Sequence, residues 1–404
     1  MSKLAIHGGT PVRTKDFAEW PIFDQLEEKL LLQALRSGKW GGTGQANSPE
    51  FNNLIEQFER DFAELHQAKY AVSCVNGTIA ITAALQAADV KPGDEVIMPP
   101  YTFIATASAA LAYGAIPVFV DIEENTLQID PDAVERAITP RTKAIVAVHI
   151  AGAPARMDRL LDIASRHDLR LIEDSAQAVG ASFAGRPVGA IGDVGTFSFQ
   201  SSKNLNCGEG GVIVTNDPEI WEKAWSVCNV GRIPNGAWYQ HERIGQNYRL
   251  TELQAAILLA QMTRLEQQMA VREKNAALLD QLLSRNEAFR VVQATEGTTR
   301  HAYHLYMLRI APNAADYIEK NDFIRKINAE GIPISYGYVP LHQNSAILDS
   351  IEQWTGERRE YSCPVCERLC QREALWLHQT VMLGDEQAMH DIADALDKVA
   401  SSYR

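Results

Sequence analysis

Between Tyr70 and Asn216, short and almost continuously apolar runs alternate with stretches whose apolar residues recur at helical spacing. The runs predict strands at Tyr70–Cys74, Glu95–Met98, Pro117–Val120, Ala144–Ile150, Arg170–Glu173, Gly195–Phe199 and Gly211–Thr215. Helices are predicted between them at Thr78–Ala88, Ile104–Tyr113, Asp130–Ile138 and Met157–His167. Strands apolar on both faces and joined by helices belong in a mostly parallel sheet covered on both sides. The expectation is a large α/β domain of about seven strands.

Helical spacing then runs from Thr251 to about Ser284, long enough to bridge to a second domain. A strand at His304–Ile310, an amphipathic helix at Tyr317–Glu330, an extended run at Pro333–Tyr338 and a helix at Glu386–Ser401 follow. They predict a smaller α+β domain. The expected division is an N-terminal arm and helix (1–35), a large α/β domain (36–265) and a small C-terminal α+β domain (266–404). A length of 404 residues fits this, being more than one core usually organises.

Apolar residues make up 46% of the chain and charged residues 22%, ample for a large core. The 38 basic against 51 acidic residues leave a net charge of −13, and no basic run offsets it. Such a surface repels a phosphate backbone, so no nucleic-acid partner is expected. The most apolar stretch, Ala105 to Val120, is broken by Gly114 and Pro117 and is too short to span a bilayer. No membrane partner is expected either. Six cysteines without a secretory leader predict free thiols in the cytoplasm.

In an open α/β sheet, ligands bind beyond the carboxyl ends of the strands. The first strand runs into Asn76-Gly77-Thr78, where a glycine, a hydroxyl and a helix N-terminus can cradle a phosphate. The commoner reading of that turn alone is a plain helix N-cap. The strand at Arg170–Glu173 ends in Asp174, followed by Gln177. A carboxylate buried there needs a cation or several donors, and a protonated pyridine nitrogen is one such cation. A helix N-cap explains Asp174 equally well in isolation. The next strand leads through Ser198 and Gln200 to Lys203, then Gly208-Glu209-Gly210-Gly211. A lysine held between two strands at this edge can be desolvated and made nucleophilic. A solvated surface lysine is the usual alternative, and only the order of the pieces argues against it.

That order is N-G-T, P-Y-T-F-x-A-T, E-D-x-A-Q-A, F-S-F-x-x-x-K, G-E-G-G and N-Y-R-x-T-E-L-Q-A-A. It resembles the DegT/DnrJ/StrS-type sugar aminotransferases, from Gly8-Gly9-Thr10-Pro11 to the C-terminal helix. The resemblance implies pyridoxal 5'-phosphate (PLP) as cofactor, fold type I (aspartate-aminotransferase-like) and a homodimer. It implies that Lys203 forms the internal aldimine and shuttles the proton. Asp174 would hold the pyridine nitrogen, Gln177 the ring hydroxyl, and Tyr101 would stack on the ring. Gly77, Thr78 and Ser198 would bind the phosphate, and Asn247 would reach the phosphate in the neighbouring subunit. Gln200, the Ser202-Lys203-Asn204-Leu205 run and Gly38-Lys39-Trp40-Gly41 look more like the cyclitol branch of scyllo-inosose aminotransferases and aminohydroxybenzoate synthase. Gln200, Arg249 and His342 are the candidate substrate contacts.

The implied reaction moves an amino group from glutamate or glutamine to a ketone on a cyclitol or nucleotide-linked sugar. Two rivals are a sugar dehydratase of the same family and a non-catalytic sugar- or cofactor-binding regulator. Dehydratases of the family carry histidine at the lysine position, so Lys203 counts against the first. An intact set of Asp174, Gln177 and Lys203 counts against the second. Cys363, Cys366 and Cys370 lack a second ligand pair at zinc spacing, and packing is the expected role, with no metal.

Overall fold

The computed structural model describes residues 3–42, 53–237 and 239–403. Its main sheet has seven strands: β1 (Tyr70–Cys74), β2 (Glu95–Met98), β3 (Ile116–Phe119), β4 (Thr142–Val148), β5 (Arg170–Asp174), β6 (Val194–Ser198) and β7 (Gly211–Thr215). They lie in the order β1-β7-β6-β5-β4-β2-β3. β2 to β6 pair in parallel, while β7 runs antiparallel between β1 and β6. Successive residues of one strand feed opposite cores. Val96, Met98 and Val146 face one apolar layer, and Ile97, Ile145 and Leu171 face the other. Being covered on both faces is what makes these strands almost continuously apolar.

Helices α3 (Gly77–Ala87), α4 (Ala105–Tyr113) and α6 (Pro218–Cys228) close the first face. The second is closed by α2 (Leu54–Leu65), α5 (Met157–Arg166) and the start of the long helix α7 (Glu252–Leu283). α7 opens with a capping box, in which Thr251 and Gln254 satisfy each other's backbone N–H groups. Its far end reaches a third core beneath an antiparallel sheet of β8 (Phe289–Val291), β9 (Leu305–Ile310), β11 (Ala374–His378) and β10 (Ile334–Ser335), in that order. Helices α8 (Lys320–Ala329) and α9 (Glu386–Ser401) cover this second sheet.

The N-terminal arm joins this C-terminal body. Leu4 enters its core, Val12 N–H donates to Glu330, and Arg13 pairs with Asp391 at 2.8 Å. Helix α1 (Gln25–Ser37) instead packs along α7, where Arg264 meets Asp24 and Glu27. Several expectations need correction. The extended run at Pro333–Tyr338 pairs only at Ile334–Ser335. The strand that fills the centre of the small sheet is Ala374–His378, which the apolar pattern had not singled out.

Candidate active site

β1, β5 and β6 all end on one edge of the sheet, and the residues that follow them meet in a cavity of about 600 Å³. Asn76 caps α3 by accepting from Ile79 N–H at 2.9 Å, leaving Gly77 and Thr78 in the first turn at the cavity wall. Gly77 sits directly against the end of β6: a Cβ there would lie 2.6 Å from Ser198 Cβ. Only glycine allows that approach. The helix N-terminus and the Ser198 hydroxyl thus share one end of the cavity, a donor set suited to phosphate.

Asp174 is 5% exposed and lines the same cavity. Thr106, in the first turn of α4, donates to its Oδ2 at 2.8 Å, and Ala176 N–H lies 3.2 Å from Oδ1. Gln177 is held at both ends of its amide. Its Oε1 accepts from Ala151 N–H at 2.7 Å, and its Nε2 donates to the Tyr338 hydroxyl at 2.7 Å. Ala151 adopts φ 61°, a costly conformation for alanine, while it makes that bond.

Lys203 follows β6 in a turn closed by its own N–H to Gln200 C=O at 2.8 Å. Its side chain is half-buried at the cavity wall, and its amine makes no hydrogen bond or ion pair among the described residues. Burial lowers its pKa to about 8, and nearby Asp174 opposes that only in part. A primary amine that gives up its proton more readily than a free lysine thus shares one chamber with a buried carboxylate and a phosphate-sized donor cradle. These residues fit PLP: a carboxylate for the ring nitrogen, an amine for the aldehyde and donors for the phosphate.

The remaining expected residues divide. Gln200 lines the cavity, but its amide is engaged within its own loop by Ser201 and Ser202. Tyr101 does not line it. It is 1% exposed and packed edge-on to Tyr338, whereas Phe103, two residues on and 57% exposed, is one of the aromatic rings at the wall. Arg249 opens onto a different cavity, with Glu59, Trp221 and Trp225. His342 is buried in a pair with Glu367 at 2.9 Å, away from Lys203. Asn247 is exposed, outside the cavity, and bridges to Asn229. Cys363, Cys366 and Cys370 are buried, and no cluster of three or more potential metal ligands occurs among the described residues.

Thr106, Tyr338, His304, Trp376 and His378 line the cavity without having been singled out. Thr106 lay within the quoted P-Y-T-F-x-A-T motif, and Tyr338 ended a predicted run. Trp376 and His378 gave no signal, because their strand itself was not apparent.

A parallel-sheet core with this edge site defines a PLP-dependent aminotransferase of fold type I. The chain belongs to the DegT/DnrJ/EryC1/StrS aminotransferase family, whose profile matches residues 23–397. It is 40% identical to the L-glutamine:2-deoxy-scyllo-inosose aminotransferase of Streptoalloteichus tenebrarius, over 98% of this chain and 97% of that one. Among solved structures it resembles 3-amino-5-hydroxybenzoic acid synthase, with TM-score 0.86, 33% identity and coverage of 96% and 100%. An aminotransferase from Psychrobacter cryohalolentis gives 0.85 and 34%, covering 96% and 99%.

Proposed function

We propose that this enzyme moves an amino group from glutamine or glutamate to a ketone on a cyclitol, with Lys203 carrying the cofactor. The observation that carries the reading is the half-buried Lys203 amine, unpartnered among the described residues, in one cavity with Asp174 and the Gly77–Ser198 cradle. The donor and acceptor classes rest on the relatives' names, which specify L-glutamine and 2-deoxy-scyllo-inosose.

When bound, the cofactor supplies an electron sink for the substrate carbon that loses its proton. Lys203, with its pKa of about 8, would take that proton and deliver it within the same half of the cycle, and would run the transfer in reverse in the second half. Asp174, anchored by Thr106, would keep the pyridine nitrogen protonated. Gln177, fixed by Ala151 and Tyr338, would orient the ring hydroxyl. Thr78, Ser198 and the N–H groups of the first turn of α3 would hold the phosphate, and Phe103, rather than Tyr101, would cover the ring. His304, Trp376 and His378 would face the substrate side.

We read the working unit as a homodimer in the cytoplasm. Exposed Asn247 supports the first, since the resemblance gives it a role across the subunit boundary, and six unpaired cysteines support the second. We also keep the arm, large and small division of the chain, with the arm assigned to the C-terminal body it bonds to.

The test is spectroscopic and chemical. The purified protein should show a cofactor band that glutamine or glutamate bleaches, and Lys203→Ala should lack that band. Supplied with 2-deoxy-scyllo-inosose, the wild type should yield an amine of matching mass. A protein that transfers no amine to any cyclitol ketone, while transferring it readily to a nucleotide-linked sugar, overturns the acceptor assignment. Near wild-type turnover by Lys203→Ala overturns the role of the lysine.

A further inference from the structure

We propose that Asn204 and His304 form a positioning pair for Lys203: Asn204 fixes the imidazole as its Nδ1–H tautomer, and the bare Nε2 offers its lone pair to the lysine amine, which has no hydrogen-bond partner among the described residues, when that amine turns across the cavity. The proposal takes Lys203 as the reactive amine and so rests on the function proposed above.

The amide of Asn204 can sit only one way round. Its Nδ2 donates to Ala302 C=O at 2.7 Å, which turns Oδ1 toward His304 Nδ1 at 3.1 Å. An amide oxygen only accepts, so Nδ1 must donate. A neutral imidazole has a single N–H, and Nε2 is therefore left with its lone pair. Asn204 is the residue next to Lys203, and His304 lines the same cavity as the lysine. The anchor is itself held from outside, because Ala302 N–H donates to Gly152 C=O at 2.9 Å. One short chain of bonds therefore ties the lysine loop to the wall opposite and sets which face of the imidazole the cavity meets.

Burial first, and then the charges around the ring, keep it neutral. Lys203, His378 and Arg272 all act on His304, and none of the three is anionic. Arg272 is fully buried and bonds to Gln379, with no carboxylate partner among the described residues. Burial and these neighbours push the His304 imidazole well below its usual range. Asp174 is the carboxylate that acts on Lys203, and Tyr338 is a partly buried phenol whose pKa is raised by desolvation. His304 therefore stays an acceptor while the lysine titrates. A ring that protonated would repel the lysine ammonium; a ring in the other tautomer would offer it an N–H instead of a lone pair. The competing reading is a structural staple, in which Asn204 and His304 only tie two loops together.

The experiment uses the full-length apoenzyme. Long-range proton–nitrogen spectra of histidine-labelled protein, with His304 assigned by its loss in His304→Gln, should show Nδ1 protonated and no titration between pH 6 and 9. In parallel, acetylation of Lys203 across pH, read by peptide mass, should give a midpoint near 8 in the wild type. His304→Leu removes the acceptor, and Asn204→Leu frees the tautomer. Each should lower that midpoint by about one unit, because the ammonium loses the lone pair it can turn to across the cavity. His304→Gln, whose amide oxygen can stand in for Nε2, should stay near the wild type. An Nε2–H tautomer in the wild type overturns the proposal. So does an unchanged midpoint in folded Leu variants, which is the result a structural staple would give. Should those variants not fold, the wild-type tautomer and the His304→Gln midpoint decide. None of these measurements needs the cofactor, so they stand apart from the loss of the cofactor band in Lys203→Ala.

Discussion

Thr106 donates a 2.8 Å hydrogen bond to Asp174 from the first turn of α4, and both residues are buried. This bond turns an otherwise costly buried carboxylate into a fixed one, aimed into the cavity that Lys203 shares. Thr106→Val keeps the shape of the side chain and removes the donor. A hydrogen bond to a charged group contributes about 1.5–3 kcal/mol, so kcat/KM should fall roughly 10- to 100-fold with little change in melting temperature. Asp174→Ala should cost far more than either Thr106→Val or Gln177→Ala. Equal and modest losses for Asp174→Ala and Gln177→Ala, measured by steady-state kinetics, would show that the ring lies the other way round.

The phosphate end gives a steric prediction. With a Cβ 2.6 Å from Ser198 Cβ, Gly77→Ala must displace either the start of α3 or the end of β6. Overpacking of this kind costs about 1–3 kcal/mol. Because the displaced parts are the proposed phosphate donors, the loss should appear in cofactor affinity, as a roughly tenfold or greater rise in Kd for PLP. Titration of the apoenzyme, followed by absorbance, measures it. Unchanged affinity would remove this corner from the cofactor site.

How far these positions were legible in the sequence follows from burial. Strands buried on both faces must be apolar throughout, which is why Tyr70–Cys74, Glu95–Met98 and Gly211–Thr215 appear in the structure with the bounds their composition predicts. Polar residues at the ends of such strands stand out, so Gly77, Asp174, Ser198 and Lys203 were visible as a set. What the sequence hid are residues whose position depends on tertiary contacts. Phe103 and Tyr101 sit two apart in one irregular turn, and nothing local decides which ring meets the cavity. β11 follows directly on the Cys363–Cys370 helical region, and its five residues lack a turn signal before them. Without that strand, neither Trp376 nor His378 could be brought to the site. Arg249 and His342 looked like substrate contacts because charge on a loop suggests function, but one lines another cavity and the other is buried against Glu367.

The desolvated, half-buried lysine should cost the empty enzyme stability, with a definite pH dependence. The folded-state pKa is about 8, against 10.5 for the free side chain. Below pH 8 both states hold the proton, and folding must bury a cation. Between pH 8 and 10.5 only the unfolded chain holds it, so stability from this group rises with pH across that window. The difference is on the order of 3 kcal/mol. Lys203→Met should therefore make the apoenzyme more stable than the wild type at pH 7, and the gap should narrow by pH 9.5. Denaturant unfolding at both pH values checks this. A Lys203→Met apoenzyme no more stable than wild type at pH 7 would mean that the amine is solvated rather than buried.

The last prediction concerns the site's second subunit. Asn247 is exposed and outside the Lys203 cavity of its own chain, although it falls in a motif whose resemblance gives it a phosphate contact. The two facts agree if its target is the cofactor of a symmetric partner. An obligate interface of more than about 2,000 Å² is then expected, and the protein should sediment as a dimer at assay dilution. Two damaged variants make the sharing visible. Lys203→Ala lacks the reactive amine, while Asn247→Asp sets a carboxylate against the phosphate. In a mixed dimer, the subunit that keeps Lys203 receives an intact Asn247 from its partner, and the other site has lost both. Random exchange of equal amounts makes half the dimers mixed, with one good site of two, so activity should recover to about a quarter of wild type. Neither parent alone should approach that value. If exchange is verified by mass and activity stays at the parental level, each subunit completes its own site and Asn247 belongs to the surface.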